Sequence, residues 1–203
     1  MRPSRGHVLV AALAAAGACT IAPAPPGVGT SGGLDLDIPP GYGTLRQEDV
    51  SMVITSGDLQ LMVTPLDASV THVTAPDTER RLSGLANAHA TDPSTNGQGL
   101  FLVSFFSQEP DVVFVPEEVQ FISRGLRVRP RTITPVTPSW GEQRVGQRQT
   151  EMAVYSFGDG VDLESTLTLA YRFDQSNQWT AILPRIQSER ARARARSGAE
   201  LRD

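Results

Sequence analysis

The chain contains no lysine; all 18 basic residues are arginine, which reads as the codon supply of a GC-rich genome and not as a selected guanidinium chemistry. It has one cysteine, Cys19, so no intrachain disulfide can staple the fold, and a closed zinc site, which draws mainly on cysteine and histidine, has little to draw on. Histidine is scarce as well, with His7, His72 and His89 the whole supply. Long apolar runs are missing: residues 8–16 form a stretch of nine, whereas crossing a hydrocarbon core of about 30 Å at about 1.5 Å per residue takes roughly 20. Basic residues are outnumbered by the 22 acidic ones. That balance argues against general nucleic-acid binding, which needs a basic face.

What is present begins at the amino end. Arg2 and Arg5 form a positive start, residues 8–16 an apolar core, and the small residues Ala16-Gly17-Ala18 precede Cys19. This is the layout of a cleaved export signal rather than of a permanent anchor. A plain secretory leader shares those small residues, so the cysteine discriminates. A lone thiol has no partner in an oxidising export route, and acylation would remove that liability.

The run Ala16-Gly17-Ala18-Cys19-Thr20 resembles the lipobox of bacterial lipoproteins, with Ala16 where leucine is usual. The resemblance covers about the first twenty residues. It implies a thioether-linked diacylglycerol on Cys19, removal of residues 1–18 and a further acyl chain, such as palmitate, on the new amino terminus. Each buried methylene contributes about 0.8 kcal/mol, so one chain holds weakly while two or three anchor stably. The implied location is exported and lipid-anchored to the bacterial membrane, the outer membrane where the envelope has two, since Thr20 is not aspartate. Loss of Arg2 and Arg5 would take the formal charge from −4 to −6.

Residues 19–44 read as the lipidated start of a flexible tether, because Ala22-Pro23-Ala24-Pro25-Pro26-Gly27, Gly32-Gly33 and Pro39-Pro40-Gly41 offer little to bury. Leu34-Asp35-Leu36-Asp37-Ile38 alternates and is the alternative, a first edge strand. From residue 50 the period becomes two. Segments 50–54 and 59–63 flank Ser56-Gly57-Asp58 as a hairpin. The denser run 99–107 reads as a mid-sheet strand buried on both faces. Segments 112–115, 119–123 and 126–133 follow, the last two joined by Ser123-Arg124-Gly125. Segments 151–157 and 163–173 flank the turn Gly158-Asp159-Gly160, and 179–183 closes the series.

So many short strands with Gly/Pro punctuation predict a mainly β fold, a sandwich with a barrel as rival. The expected sandwich domain spans residues 45–186, and its pattern over 45–185 loosely resembles the immunoglobulin-like modules of bacterial extracytoplasmic proteins, which implies an antiparallel β-sandwich; the inter-sheet disulfide of antibody domains is excluded. One short inserted helix is expected over about 77–90, where Leu82, Leu85, Ala86 and His89 share a face and Pro76 precedes. Residues 92–97 read as a loop. In residues 187–203 the arginines alternate with alanine, and a two-residue step turns 200° on a helix, making no single stripe. An extended Arg-rich tail is expected, solubilising or drawn to anionic headgroups.

Chemical constellations are few. A triad needs nucleophile, base and orienting group in contact; none is read here, nor any metal site, so neither enzyme activity nor a cofactor is expected. Asp159, Asp162 and Glu164 cluster around a glycine turn but do not match an EF-hand loop, and read as a solvated turn. Glu117 and Glu118 read as a polar turn. Trp140, Arg144 and Arg148, in the longest polar connection, form the candidate recognition loop for a peptide or glycan; the preferred reading of Trp140 itself is that it caps the core edge. The expected function is a membrane-anchored envelope lipoprotein acting as a non-catalytic interaction or structural module, with an envelope protein or glycan as partner. The alternative is a small-ligand or metal-ion carrier using the Trp140 or Asp159 loops.

Overall fold

A computed structural model describes residues 38–90 and 99–200, all within the compact unit Leu34–Asp203. The leader, Cys19, the Pro/Gly run before Ile38, the candidate edge strand up to Asp37 and the loop 92–97 lie outside the described residues.

The fold is mainly β, built on antiparallel sheets, and closes with a long helix. The strands β1 (Met52–Ser56) and β2 (Leu59–Pro65) form the expected hairpin, in which Gly57 takes φ 58°; a first turn residue with positive φ favours glycine. Two helices follow, α1 (Gln47–Val50) having come before β1: α2 (Ala68–Thr71) and α3 (Pro76–Ala90). Strand β3 (Leu100–Ser107) then takes the centre of a five-stranded sheet. After β4 (Val112–Val113) come β5 (Val119–Ser123), β6 (Leu126–Val128), β7 (Thr132–Pro135), β8 (Arg144–Val145), β9 (Thr150–Ser156), β10 (Leu167–Tyr171) and β11 (Asp174–Ser176). The sheets run β1-β2-β3-β9-β7, β11-β10-β5-β6 and the ribbon β4-β8, and they do not close into a barrel.

Strand β3 is buried on both faces because each face has its own cover. Phe101, Val103 and Phe105 point to the second sheet, where Phe101 meets Phe121 with ring centroids 4.7 Å apart and Phe105 meets Tyr171 at 5.7 Å. Leu100 and Leu102 point outward, and with Leu66 and Val154 they receive Leu82, Leu85 and Ala86 of α3. The inserted helix therefore forms where its apolar spacing placed it, and docks on the outside of a sheet. Pro76 occupies its first turn, where a missing N–H costs nothing.

Four expectations need correction. Segment 126–133 is not one strand: Arg129-Pro130 interrupts it, so that β6 belongs to one sheet and β7 to the other. Gly158-Asp159-Gly160 is not a hairpin turn but a 3₁₀ turn carrying the chain from β9 in the first sheet towards β10 in the second. Residues 179–183 are not a strand, and the Arg-rich residues 187–200 are not an extended tail; both belong to α4 (Trp179–Glu200). Its buried positions Trp179, Ile182, Ile186, Glu189, Arg190, Ala193 and Ser197 recur about once per turn, so the stripe exists; it takes in Arg190 and leaves Arg192, Arg194 and Arg196 beside it. Pro184 sits on the exposed side of α4, where the carbonyl it leaves unpaired can be hydrated.

Residues 38–44, expected to belong to the tether, are packed into the folded body. Ile38 is buried, and Leu45 pairs with Thr74 in a parallel bridge. Gly43 lies so close to the Val73 backbone that a Cβ would stand 2.1 Å from its carbonyl carbon. Helix α4 clamps this segment: Thr44 Oγ1 donates to Glu189 Oε1 at 2.8 Å, Arg196 Nε donates to the Tyr42 carbonyl at 2.9 Å, and Tyr42 Oη donates to Glu200 at 2.6 Å.

Candidate functional site

Strand β9 and the 3₁₀ segment Pro138–Glu142 decide the fate of the candidate recognition loop. Trp140 is 5% exposed, its ring 4.9 Å from Phe114, 5.8 Å from Phe105 and 6.2 Å from Tyr155. It is a core residue at the edge of the aromatic cluster, in keeping with the capping reading of Trp140 and leaving little of the ring for recognition. Beneath the segment, Ser139 Oγ donates to the buried carboxylate of Glu151 at 2.6 Å and Thr137 donates to its other oxygen. Those two hydroxyls pin the loop down and hold Trp140 inward.

The two arginines do not join the tryptophan. Arg144, in β8, pairs with Asp111, and the guanidinium holds that carboxyl below the usual carboxylate range. Arg148 is an exposed turn residue with φ 55° whose N–H donates to the Ser107 carbonyl at 2.8 Å. An aromatic flanked by free cations is therefore not assembled here.

The Asp159 turn disperses its carboxylates in the same way. Arg124 donates from Nη2 to Asp162 at 2.6 Å, and this bond, with one from the Glu164 N–H, lowers the Asp162 carboxyl. Arg190 reaches Glu164 at 2.7 Å, and Arg131 lies 3.4 Å from Asp159. Each carboxylate has its own arginine. Among the described residues no group of three or more metal-ligating side chains comes together. Glu117 and Glu118 fall in the 3₁₀ turn Pro116–Glu118.

His72 Nδ1 lies 2.7 Å from the Ile38 carbonyl, which makes it the protonated nitrogen and its role a structural one for the start of the domain. It borders a polar cleft of about 440 Å³ between α2 and α3, with Asp67, Glu79 and Ser83. Ser83 Oγ lies 2.8 Å from Glu79 Oε1, and no hydrogen bond joins it to His72, so a nucleophile–base pair is not formed there. The run Gly29-Thr30-Ser31-Gly32-Gly33 satisfies the G-x-S-x-G spacing but lies outside the described residues, and spacing alone assigns nothing.

Sequence reasoning passed over one feature. On the outer face of the five-stranded sheet, at the edge of the patch that α3 covers, Met62, Phe106 and Met152 remain half-buried around a groove of about 560 Å³ with Gln47 and Arg81 at its rim. Strand alternation marks each residue as outward-facing, but only the strand order brings them together.

No described helix is long and apolar enough to cross a membrane. Comparison with protein-family models, with curated proteins and with solved structures finds no match to this chain.

Proposed function

We propose that this chain is an exported lipoprotein, anchored in the membrane through acylated Cys19, whose folded body serves the cell envelope as a non-catalytic interaction or structural module. The observation that carries the reading is the succession of Arg2 and Arg5, the nine-residue apolar stretch 8–16 and the small triplet ending at Cys19. It is supported by a body that reaches from Ile38 to Glu200 without any disulfide, suited to standing on a lipid-bearing amino terminus.

Within that reading the body is a sandwich of the immunoglobulin-like kind. Support comes from two antiparallel sheets whose inner faces share one aromatic core, Phe101 and Phe105 from one and Phe121 and Tyr171 from the other. An envelope protein or glycan is the partner class, and the outer membrane is the destination where two membranes exist.

Metabolic labelling with a palmitate analogue tests the anchor. The wild-type chain is expected to take the label and to fractionate with membranes, and Cys19→Ser to do neither. Equal labelling of the two chains overturns the reading.

A further inference from the structure

The outer-face groove has a defined floor. Register pairs place Val53 opposite Met62, Met62 opposite Ser104 and Ser104 opposite Met152, so one line of side chains crosses β1, β2, β3 and β9. With strands about 4.8 Å apart, that line is about 14 Å long. Leu102 flanks it on one side and Phe106 on the other.

The rim is polar and carries one sign of charge. Arg81 Nη2 donates to Gln47 Oε1 at 2.6 Å, while Gln47 Nε2 donates to Thr64 Oγ1 at 2.9 Å. Among the described residues the guanidinium, positioned by a neutral amide, makes no ion pair, and no carboxylate lines the groove. A fork of N–H donors at the edge of an apolar trough matches a carboxylate on an alkyl chain. A volume of about 560 Å³ falls in the range that holds one small ligand, which suits a single chain and not a two-chain phospholipid. The two methionines supply the adaptable surface that a flexible chain needs.

We propose that this groove binds one medium-chain fatty acid, with its alkyl chain across Met62, Ser104 and Met152 and its carboxylate on Arg81. None of the groove's lining residues belongs to the Trp140, Arg144 and Arg148 set or to the Asp159 turn, and the proposal does not depend on the lipoprotein reading.

Displacement of a dansylated undecanoate from the full chain, by octanoate, decanoate and dodecanoate below their micelle thresholds, tests it. Saturable one-to-one binding is expected, tightening about two- to fourfold for each added methylene. Arg81→Gln, an exposed helix substitution, is expected to weaken dodecanoate about tenfold and leave dodecanol unchanged. Met152→Glu and Met62→Glu, each with the wild-type circular dichroism spectrum, are expected to weaken both. Absence of saturable displacement from the wild type overturns the proposal, as does an equal effect of Arg81→Gln on acid and alcohol. So does a dimer in sedimentation that Met152→Glu dissolves, which would assign the face to a second copy of the chain.

Discussion

At Trp140 and Glu189, burial sets the role more than residue type does. Trp140 fills the end of an aromatic cluster, so Trp140→Ala removes packing rather than a binding surface and is expected to lower unfolding free energy by about 3–5 kcal/mol in urea titration. A loss under about 1 kcal/mol would mean that the ring sits outside the core in solution. Burial pushes the Glu189 carboxyl up, but the Thr44 hydroxyl and Arg196, with the charge of Arg192, outweigh it and the net shift is downward. A carboxyl lowered on folding contributes stability that is complete above its unfolded value of about 4.3 and is lost as pH falls through the lower folded value. Stability is therefore expected to fall with acid below about pH 4.3, and Glu189→Gln to be less stable at neutral pH with a shallower acid slope. Identical slopes in the two proteins would remove Glu189 from the acid transition.

At the scale of elements, α4 is where reading the pattern by charge fails. Alternating arginine and alanine makes no amphipathic stripe of its own, yet the helix forms because Ile182, Ile186 and Ala193 dock and because Glu189 and Arg190 enter the interior with partners. Arg190 donates from Nε to the Ser69 carbonyl at 3.1 Å and reaches Glu164, leaving only Nη2 without a hydrogen bond among the described residues. Those partners lie far off in sequence, which is why a local window shows a solvated tail. Amides of residues 190–197 are expected to exchange with deuterium orders of magnitude more slowly than an unstructured chain; exchange at coil rates would show that the helix ends near Gln187. The hairpins β1–β2 and β5–β6, by contrast, were legible locally, since Gly57 and Gly125 mark turns whose positive φ glycine favours.

For the molecule as a whole, the start of the folded body was hidden for the same reason. Pro39-Pro40-Gly41 reads as linker, but Ile38, Gly43 and Thr44 are held by Val73 and α4. A chain beginning at Leu34 is expected to keep the melting temperature of the longer chain, and one beginning at Leu45 to melt several degrees lower, as differential scanning calorimetry would read. Equal melting of the two would show that residues 38–44 add nothing to the stability of the folded body.

Composition and local pattern by themselves determined the mainly β class, the central place of β3, the α3 helix and its apolar face, and the absence of disulfides. These follow from period, turn chemistry and a cysteine count, all properties of neighbouring residues. The candidate sites were legible only as residue types. Tertiary structure decided that Trp140 is core, that the turn carboxylates are each matched to an arginine, that 126–133 divides between sheets, and that Met62, Phe106 and Met152 share a groove beside Arg81. Each of those depends on which distant segments pack together, and a hydrogen bond across more than a hundred residues leaves no periodic trace along the chain.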